Sequence, residues 1–211
     1  MSLLVKEIFY SIQGESSYAG YPCIFVRLAG CNLRCSYCDT RYAYEGGIRL
    51  KVDNIIQEIS RFPCRLVEIT GGEPLLQEET PALVTRLLDM GYKVLLETNG
   101  SKDIAPVDIR CVRIVDFKCP SSGFCEANNM INITRLQSSD EVKFVIGDRE
   151  DYEFAKMILS KIEGIGCKIH FSPVHGVLKP DLLAQWILDD GLWVRLHLQL
   201  HKIIWDPNLR R

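Results

Sequence analysis

The sequence predicts an α/β fold, an incomplete (β/α) barrel of about six βα units around a mostly parallel, curved sheet. Three observations carry that expectation. Runs of β-branched and aromatic residues alternate with helical apolar patterns along the chain, an order that lays helices on a parallel sheet. The connections are short, with no linker, low-complexity segment or repeat. The 211 residues also fall short of the roughly 250 of a closed eight-stranded barrel.

The elements follow in order. After an apolar stretch from Val5 to Tyr10, "CIFVRL" (23–28) is a strand that feeds a polar cysteine loop, residues 30–41. Asp53 is the expected N-cap of a helix over "NIIQEISRF", with Ile55, Ile56, Ile59 and Phe62 on one face. "RLVEIT" (65–70) is a strand, and "PALVTRLLDM" a helix that turns Leu83, Val84, Leu87 and Leu88 inward and stops at Gly91. "KVLLET", "VRIVDF" and "EVKFVI" are strands, the last leading into a helix from about Asp148 to Ile162. "KIHFS" and "LWVRL" are the final strands, flanking the helix "PDLLAQWILDD". A single domain over 1–211 is expected. In such sheets functional groups gather at the C-terminal ends of strands, where the cysteine loop, "TGGEP", "ETNG" and "DFKCP" all fall.

Composition narrows the function. The chain is 47% hydrophobic and 25% charged with a formal net charge of −2, which supports a substantial core and lacks the basic excess of a nucleic-acid or membrane-surface binder. No apolar run is long enough to cross a bilayer, and Lys6 and Glu7 interrupt the place of a signal-peptide core, so a cytoplasmic protein is expected. Nine unevenly spaced cysteines argue against a disulfide scaffold and for thiolates that hold a metal.

Three of those thiolates, Cys31, Cys35 and Cys38, stand in C-x-x-x-C-x-x-C spacing within "RLAGCNLRCSYCDT". A structural zinc takes four protein ligands, and an iron–sulfur cube usually takes four thiolates. Three local ligands leave one metal position open. The spacing, with aromatic Tyr37 before the last cysteine, resembles the radical S-adenosylmethionine superfamily, and "TGGEP" (Thr70 to Pro74) resembles its GGE motif. The resemblance implies a [4Fe–4S] cluster on Cys31, Cys35 and Cys38, whose open iron binds S-adenosylmethionine, with Gly72 and Glu73 at the methionine amino group.

Other features address the substrate. "YSIQGES" offers Gln13 and Glu15 to the donor–acceptor edge of a pterin or purine, and the strand-end Arg27 suits a carboxylate. Thr40, in "CDT", carries a hard oxygen suited to magnesium. In "LQLHKIIWDP", His201 follows the last strand. With "FVRLAGCNLRCSYCDT", "EITGGEP", "ETNG", "VDFKCPSSG" and "VKFVI", these pieces resemble the 7-carboxy-7-deazaguanine synthase family of the queuosine pathway over essentially the whole chain. That family is a set of carbon–nitrogen lyases that contract 6-carboxytetrahydropterin to 7-carboxy-7-deazaguanine and ammonia, with magnesium required.

By that resemblance Ile12, Gln13, Gly14, Arg27 and Thr70 contact the substrate, with Glu15 and His201 close by. Tyr37, Cys38, Asp39, Gly72, Asp116, Phe117 and Lys118 border S-adenosylmethionine, Ser172 to His175 lie at its adenosine end, and Thr40 ligates magnesium. An electron donor such as flavodoxin or ferredoxin is implied, and a homodimer is left open. Pro207 is followed by Asn208, Leu209, Arg210 and Arg211, so it cannot offer the terminal carboxylate that some members use. A glycyl-radical activase is the alternative enzyme and a zinc-binding module the alternative outside catalysis. His170, His175 and His197 read as structural, and Cys111, Cys119 and Cys125 match no second-cluster spacing.

Overall fold

The computed structural model describes residues 1–205; Pro207 and the residues after it lie outside them. The elements are β1 (Ser2–Ile12), β2 (Pro22–Leu28), β3 (Ile48–Lys51), α1 (Val52–Ile59), β4 (Leu66–Gly71), α2 (Thr80–Asp89), β5 (Lys93–Thr98), β6 (Val112–Asp116), β7 (Glu141–Ile146), α3 (Arg149–Ile162), β8 (Lys168–Pro173), α4 (Pro180–Asp189), β9 (Arg195–Leu196) and α5 (His201–Ile204). They form one nine-stranded sheet in the order β3-β1-β2-β4-β5-β6-β7-β8-β9. From β2 onward every pair is parallel, while β1 runs antiparallel to both β2 and β3.

Alternation along the strands sorts residues onto two faces. In β7, Val142, Phe144 and Ile146 join the apolar layer under the helices, whereas Glu141 and Lys143 form ion pairs on the other face. One core cluster joins β1, β2 and β4 to α1 and α2 through Leu3, Ile24, Ile69, Ile55 and Leu83. The other packs α3 and α4 on β7 and β8 around Phe144, Phe171 and Tyr152. The helix expected from about Asp148 runs Arg149–Ile162, and Asp148 caps it, its carboxylate accepting the Asp151 N–H at 2.9 Å.

Three local expectations are corrected, and one strand, β3, is added to those expected. The N-cap of α1 is Lys51; Asp53 sits one residue inside the first turn and pairs with Arg86 at 2.6 Å. The edge strand β3, "IRLK", has only Leu50 partly buried, so it shows no alternation to read. β9 pairs only through Arg195 and Leu196, because the chain before it carries Trp193 outward, 99% exposed. His201 does not follow a strand directly but opens α5.

The direction of β1 matters most for the site. Ile12 pairs with Pro22, so the β1–β2 loop lies at the end of the barrel opposite the strand C-termini. There the Ser17 N–H donates to Glu141 at the start of β7 (2.9 Å), and Ser16 takes a positive φ of 61° to make the turn. The chain after β9 returns to the same loop, the Leu200 N–H donating to the Gly14 carbonyl at 2.9 Å.

Candidate active site

A cleft of about 1240 Å³ runs from the cysteine loop down the inside of the barrel to the β1–β2 loop. Cys31, Cys35 and Cys38 line its mouth, and all three are free thiols. Backbone contacts hold the loop that carries them. Arg34 donates to the carbonyls of Cys31 and Leu33, each at 2.8 Å, and stacks 4.2 Å over Tyr44. Ser36 binds the Ser122 carbonyl through its N–H (3.1 Å) and the Ser121 carbonyl through its hydroxyl (2.7 Å). The glycine pair after β4 makes the opposite wall. A Cβ on Gly71 would collide with the Leu28 backbone, and one on Gly72 with Gly30 and Cys31, so only glycine lets the two loops touch.

Three residues expected beside S-adenosylmethionine do not line this cleft: Glu73, Phe117 and Ser172. Glu73 is fully buried behind the glycine loop. It accepts the Leu75 N–H and the Thr98 hydroxyl at 2.9 Å each and the Asn99 N–H at 2.6 Å, so it braces the loop. Phe117 belongs to the apolar core, and Ser172 is buried on β8 with its hydroxyl unpaired among the described residues. The other expected residues do reach the cleft: Tyr37, Asp39, Gly72, Asp116, Lys118 and His175. Asp116 pairs with Lys118 at 2.7 Å, and burial, which opposes the charge, is outweighed by Asp116 so that the Lys118 pKa is raised. The Tyr37 hydroxyl and Asp116 Oδ1 are buried with no hydrogen-bond partner among the described residues. Free thiols beside such polar atoms fit a metal cluster carrying a polar cofactor.

Ile12, Gln13, Gly14, Glu15, Arg27, Thr70 and His201 all line the cleft. Arg27 is clamped: Glu7 accepts its Nε at 2.8 Å and the Tyr42 hydroxyl at 2.6 Å, and the guanidinium carbon lies 5.9 Å from the Phe9 ring centre. With Nε taken, the terminal nitrogens are the ones left to bind a carboxylate. Gln13 is fixed at both ends of its amide, donating to Glu68 and accepting the Glu15 N–H at 3.1 Å. His201 packs so closely on Gly14 that any side chain there would displace it.

Below these residues is a charged floor that motif reading missed. Lys143 pairs with Glu15 and, at 2.8 Å, with Glu97, while Gln199 donates to Glu15 at 2.8 Å. Burial opposes ionisation of Glu15, but Lys143 and His201 outweigh it and hold the carboxyl well below its usual range. Burial pushes Glu68 and Glu97 up, with neighbouring carboxylates adding to it. The floor therefore sets one carboxyl shifted down, Glu15, beside two shifted up, Glu68 and Glu97. The signal was present in "VEI", "LLE" and "VKF", where a charge interrupts an otherwise apolar strand. At the other side of the mouth, Asp39 joins Lys202 (2.8 Å) and Thr40 (3.0 Å).

His170 and His197 lie deeper, their ring centres 5.3 Å apart, and His170 binds Glu141 at 2.8 Å. Neither lines the cleft.

A parallel, open α/β barrel with a three-cysteine loop over a polar cleft defines a radical S-adenosylmethionine protein, and residues 25–116 match the radical SAM superfamily. The chain is 46% identical to the 7-carboxy-7-deazaguanine synthase of Koribacter versatilis, with 98% of both chains covered. It is 49% identical to that of Chlorobaculum tepidum, over 99% of this chain and 96% of the relative. The crystal structure of QueE from Escherichia coli has the same fold, with a TM-score of 0.82 over 95% of each chain at 23% identity. The chain belongs to the 7-carboxy-7-deazaguanine synthase family, and with it come a [4Fe–4S] cluster and S-adenosylmethionine.

Membership sets aside the activase and zinc-module alternatives. Among the described residues no three His, Cys, Asp or Glu side chains form a site for a single metal ion. Nor, among them, is any helix long and apolar enough to cross a membrane.

Proposed function

We propose that this chain contracts the ring of 6-carboxytetrahydropterin to give 7-carboxy-7-deazaguanine and ammonia, with the cleft residues in the following roles. The observation that carries the assignment of roles is that all seven substrate candidates, scattered from Ile12 to His201, line one cleft whose mouth is the cysteine loop. Arg27 binds the substrate carboxylate through its terminal nitrogens, held by Glu7 and Tyr42. Gln13, unable to flip because Glu68 and the Glu15 N–H fix its amide, reads the pyrimidine edge of the pterin. Glu15, kept ionised by Lys143, accepts ring N–H groups.

Cys31, Cys35 and Cys38 hold the cluster, and Tyr37, Gly72, Asp116, Lys118 and His175 surround S-adenosylmethionine. When bound, that pair would supply carbon-radical chemistry for hydrogen-atom abstraction. Thr40 gives an oxygen to magnesium beside the substrate carboxylate, a share that suits an ion which keeps several waters. The contribution of the chain is then mainly to orient the ring and exclude water. The reaction takes place in the cytoplasm, with flavodoxin or ferredoxin as electron donor.

The test is anaerobic incubation of the cluster-loaded enzyme with 6-carboxytetrahydropterin, S-adenosylmethionine, magnesium and a reductant. Equal amounts of 7-carboxy-7-deazaguanine and ammonia are expected. Reductive cleavage of S-adenosylmethionine with the pterin left intact would refute the substrate assignment.

A further inference from the structure

We propose that Lys202 and Asp39 form an outer shell that aims the Thr40 oxygen at magnesium, making α5 a working part of the metal site. The inference rests on the assignment of Thr40 to magnesium above. It starts from one carboxylate with both oxygens in use: Asp39 Oδ1 accepts the Thr40 hydroxyl at 3.0 Å, and Oδ2 faces Lys202 Nζ at 2.8 Å.

A threonine hydroxyl has one hydrogen and two lone pairs. With the hydrogen given to Asp39, only lone pairs are left for the cleft, and a cation needs lone pairs. A carboxylate that accepts the hydrogen also makes the oxygen a better donor, as outer-shell partners do for ligands generally. Lys202 occupies the other oxygen and offsets its charge, which keeps Asp39 from turning to the cation in place of Thr40.

The local backbone supports the same assignment. Thr40 is the N-cap of the short 3-10 turn Arg41–Ala43, a position where threonine normally accepts a backbone N–H, yet its side chain makes no such bond. The hydroxyl is committed to Asp39 instead. Lys202 is a positioning residue in this scheme, since it acts on Thr40 only through Asp39.

α5 does not depend on Lys202 for its place. Its start is tied to the β1–β2 loop by Leu200 N–H to the Gly14 carbonyl (2.9 Å) and by Gln199 to Glu15 (2.8 Å). The segment therefore touches the pterin loop with one set of residues and the metal loop with another. Lys202→Met should disturb the second and spare the first. The pair is also partly exposed, 22% for Lys202 and 50% for Asp39, so losing it should barely affect thermal stability.

The experiment is calorimetric titration of magnesium into the cluster-loaded enzyme with the pterin bound, for the parent, Lys202→Met, Lys202→Arg and Thr40→Val. Lys202→Met is expected to weaken magnesium binding about 10-fold, at the low end of the effect of outer-shell partners. Its iron content, melting temperature and magnesium-free pterin affinity should match the parent. Lys202→Arg should recover most of the loss, and Thr40→Val should abolish binding. Parent-like affinity in Lys202→Met, with binding lost in Thr40→Val, would overturn the role of Lys202 and leave the Thr40 assignment standing. Parent-like affinity in Thr40→Val would remove the Thr40 assignment itself, and the outer shell with it.

Discussion

The mouth and the floor of the cleft are built in opposite ways. At the mouth, Cys31, Cys35 and Cys38 come from one loop, and that loop is held by backbone carbonyls that accept from Arg34 and Ser36. At the floor, Glu15, Glu68, Glu97 and Lys143 come from a loop and three strands, with Lys143 paired to Glu15 and Glu97, and Glu68 accepting from Gln13. The mouth can lose a side chain and keep its shape. The floor cannot, because among the described residues Lys143 is the one cation that pairs with its carboxylates. In the proposed roles, radical generation would sit on a self-contained loop, while recognition of the ring would depend on the whole barrel being assembled.

The largest expected effect lies at the mouth. Cys35→Ala should abolish reductive cleavage of S-adenosylmethionine, read as 5′-deoxyadenosine under anaerobic reduction. Cys64→Ala and Cys167→Ala, away from the cleft, should keep the iron and activity of the parent. Full activity in Cys35→Ala would break the comparison at once.

Next comes the floor. Lys143→Met leaves buried carboxylates without their partner, a change that typically costs about 3–5 kcal/mol. Urea denaturation should show most of that loss, and iron content should be unchanged. A parent-like midpoint would mean that the floor is not held by charge.

The same contrast decided what the sequence could reveal. The cysteine triplet and "TGGEP" are local patterns with local reasons, and the structure brings them together at one mouth. Glu73 stands in the expected motif, and only the three-dimensional turn sends its carboxylate back to Thr98 and Asn99, a direction that sequence order does not write. The cysteine loop follows the C-terminal end of its strand, whereas Gln13 to Glu15 reach the same cleft by another route. An antiparallel β1 delivers those residues from the opposite end, and strand direction is not written in an apolar run. Glu68, Glu97 and Lys143 each read as an isolated charge within a strand. Their meaning emerges only when β4, β5 and β7 curve around a shared interior.

Arg27 joins the two regions and gives the third effect. Arg27→Ala should weaken pterin binding by about 2–5 kcal/mol, the usual cost of removing one partner of a buried charged pair. Arg27→Lys should fail to restore it, because Glu7 and the substrate need different nitrogens of one planar fork. Pterin affinity equal to the parent in Arg27→Ala would make Arg27 a structural partner of Glu7 alone.

The smallest effect lies beneath the floor. Burial pushes the His197 pKa down to about 4 from its ordinary 6.5. The unfolded chain takes the proton first as pH falls, so the stability associated with neutral His197 is complete above about 6.5 and drains away toward 4. His197→Gln should flatten that part of the stability–pH curve by on the order of 1–3 kcal/mol at its acid end. Denaturation at neutral and mildly acid pH measures the slope directly. An unchanged slope would place the titration in another group.

The division of labour between mouth and floor is tested most directly by the ratio of 5′-deoxyadenosine to 7-carboxy-7-deazaguanine in Lys143→Met, measured anaerobically with cluster, S-adenosylmethionine and pterin present. If the floor only aims the substrate, the variant should still cleave S-adenosylmethionine under reduction while making far less deazaguanine, and the ratio should rise well above that of the parent. Should both products fall together, with iron content intact, radical generation and ring recognition would not be separable in this barrel.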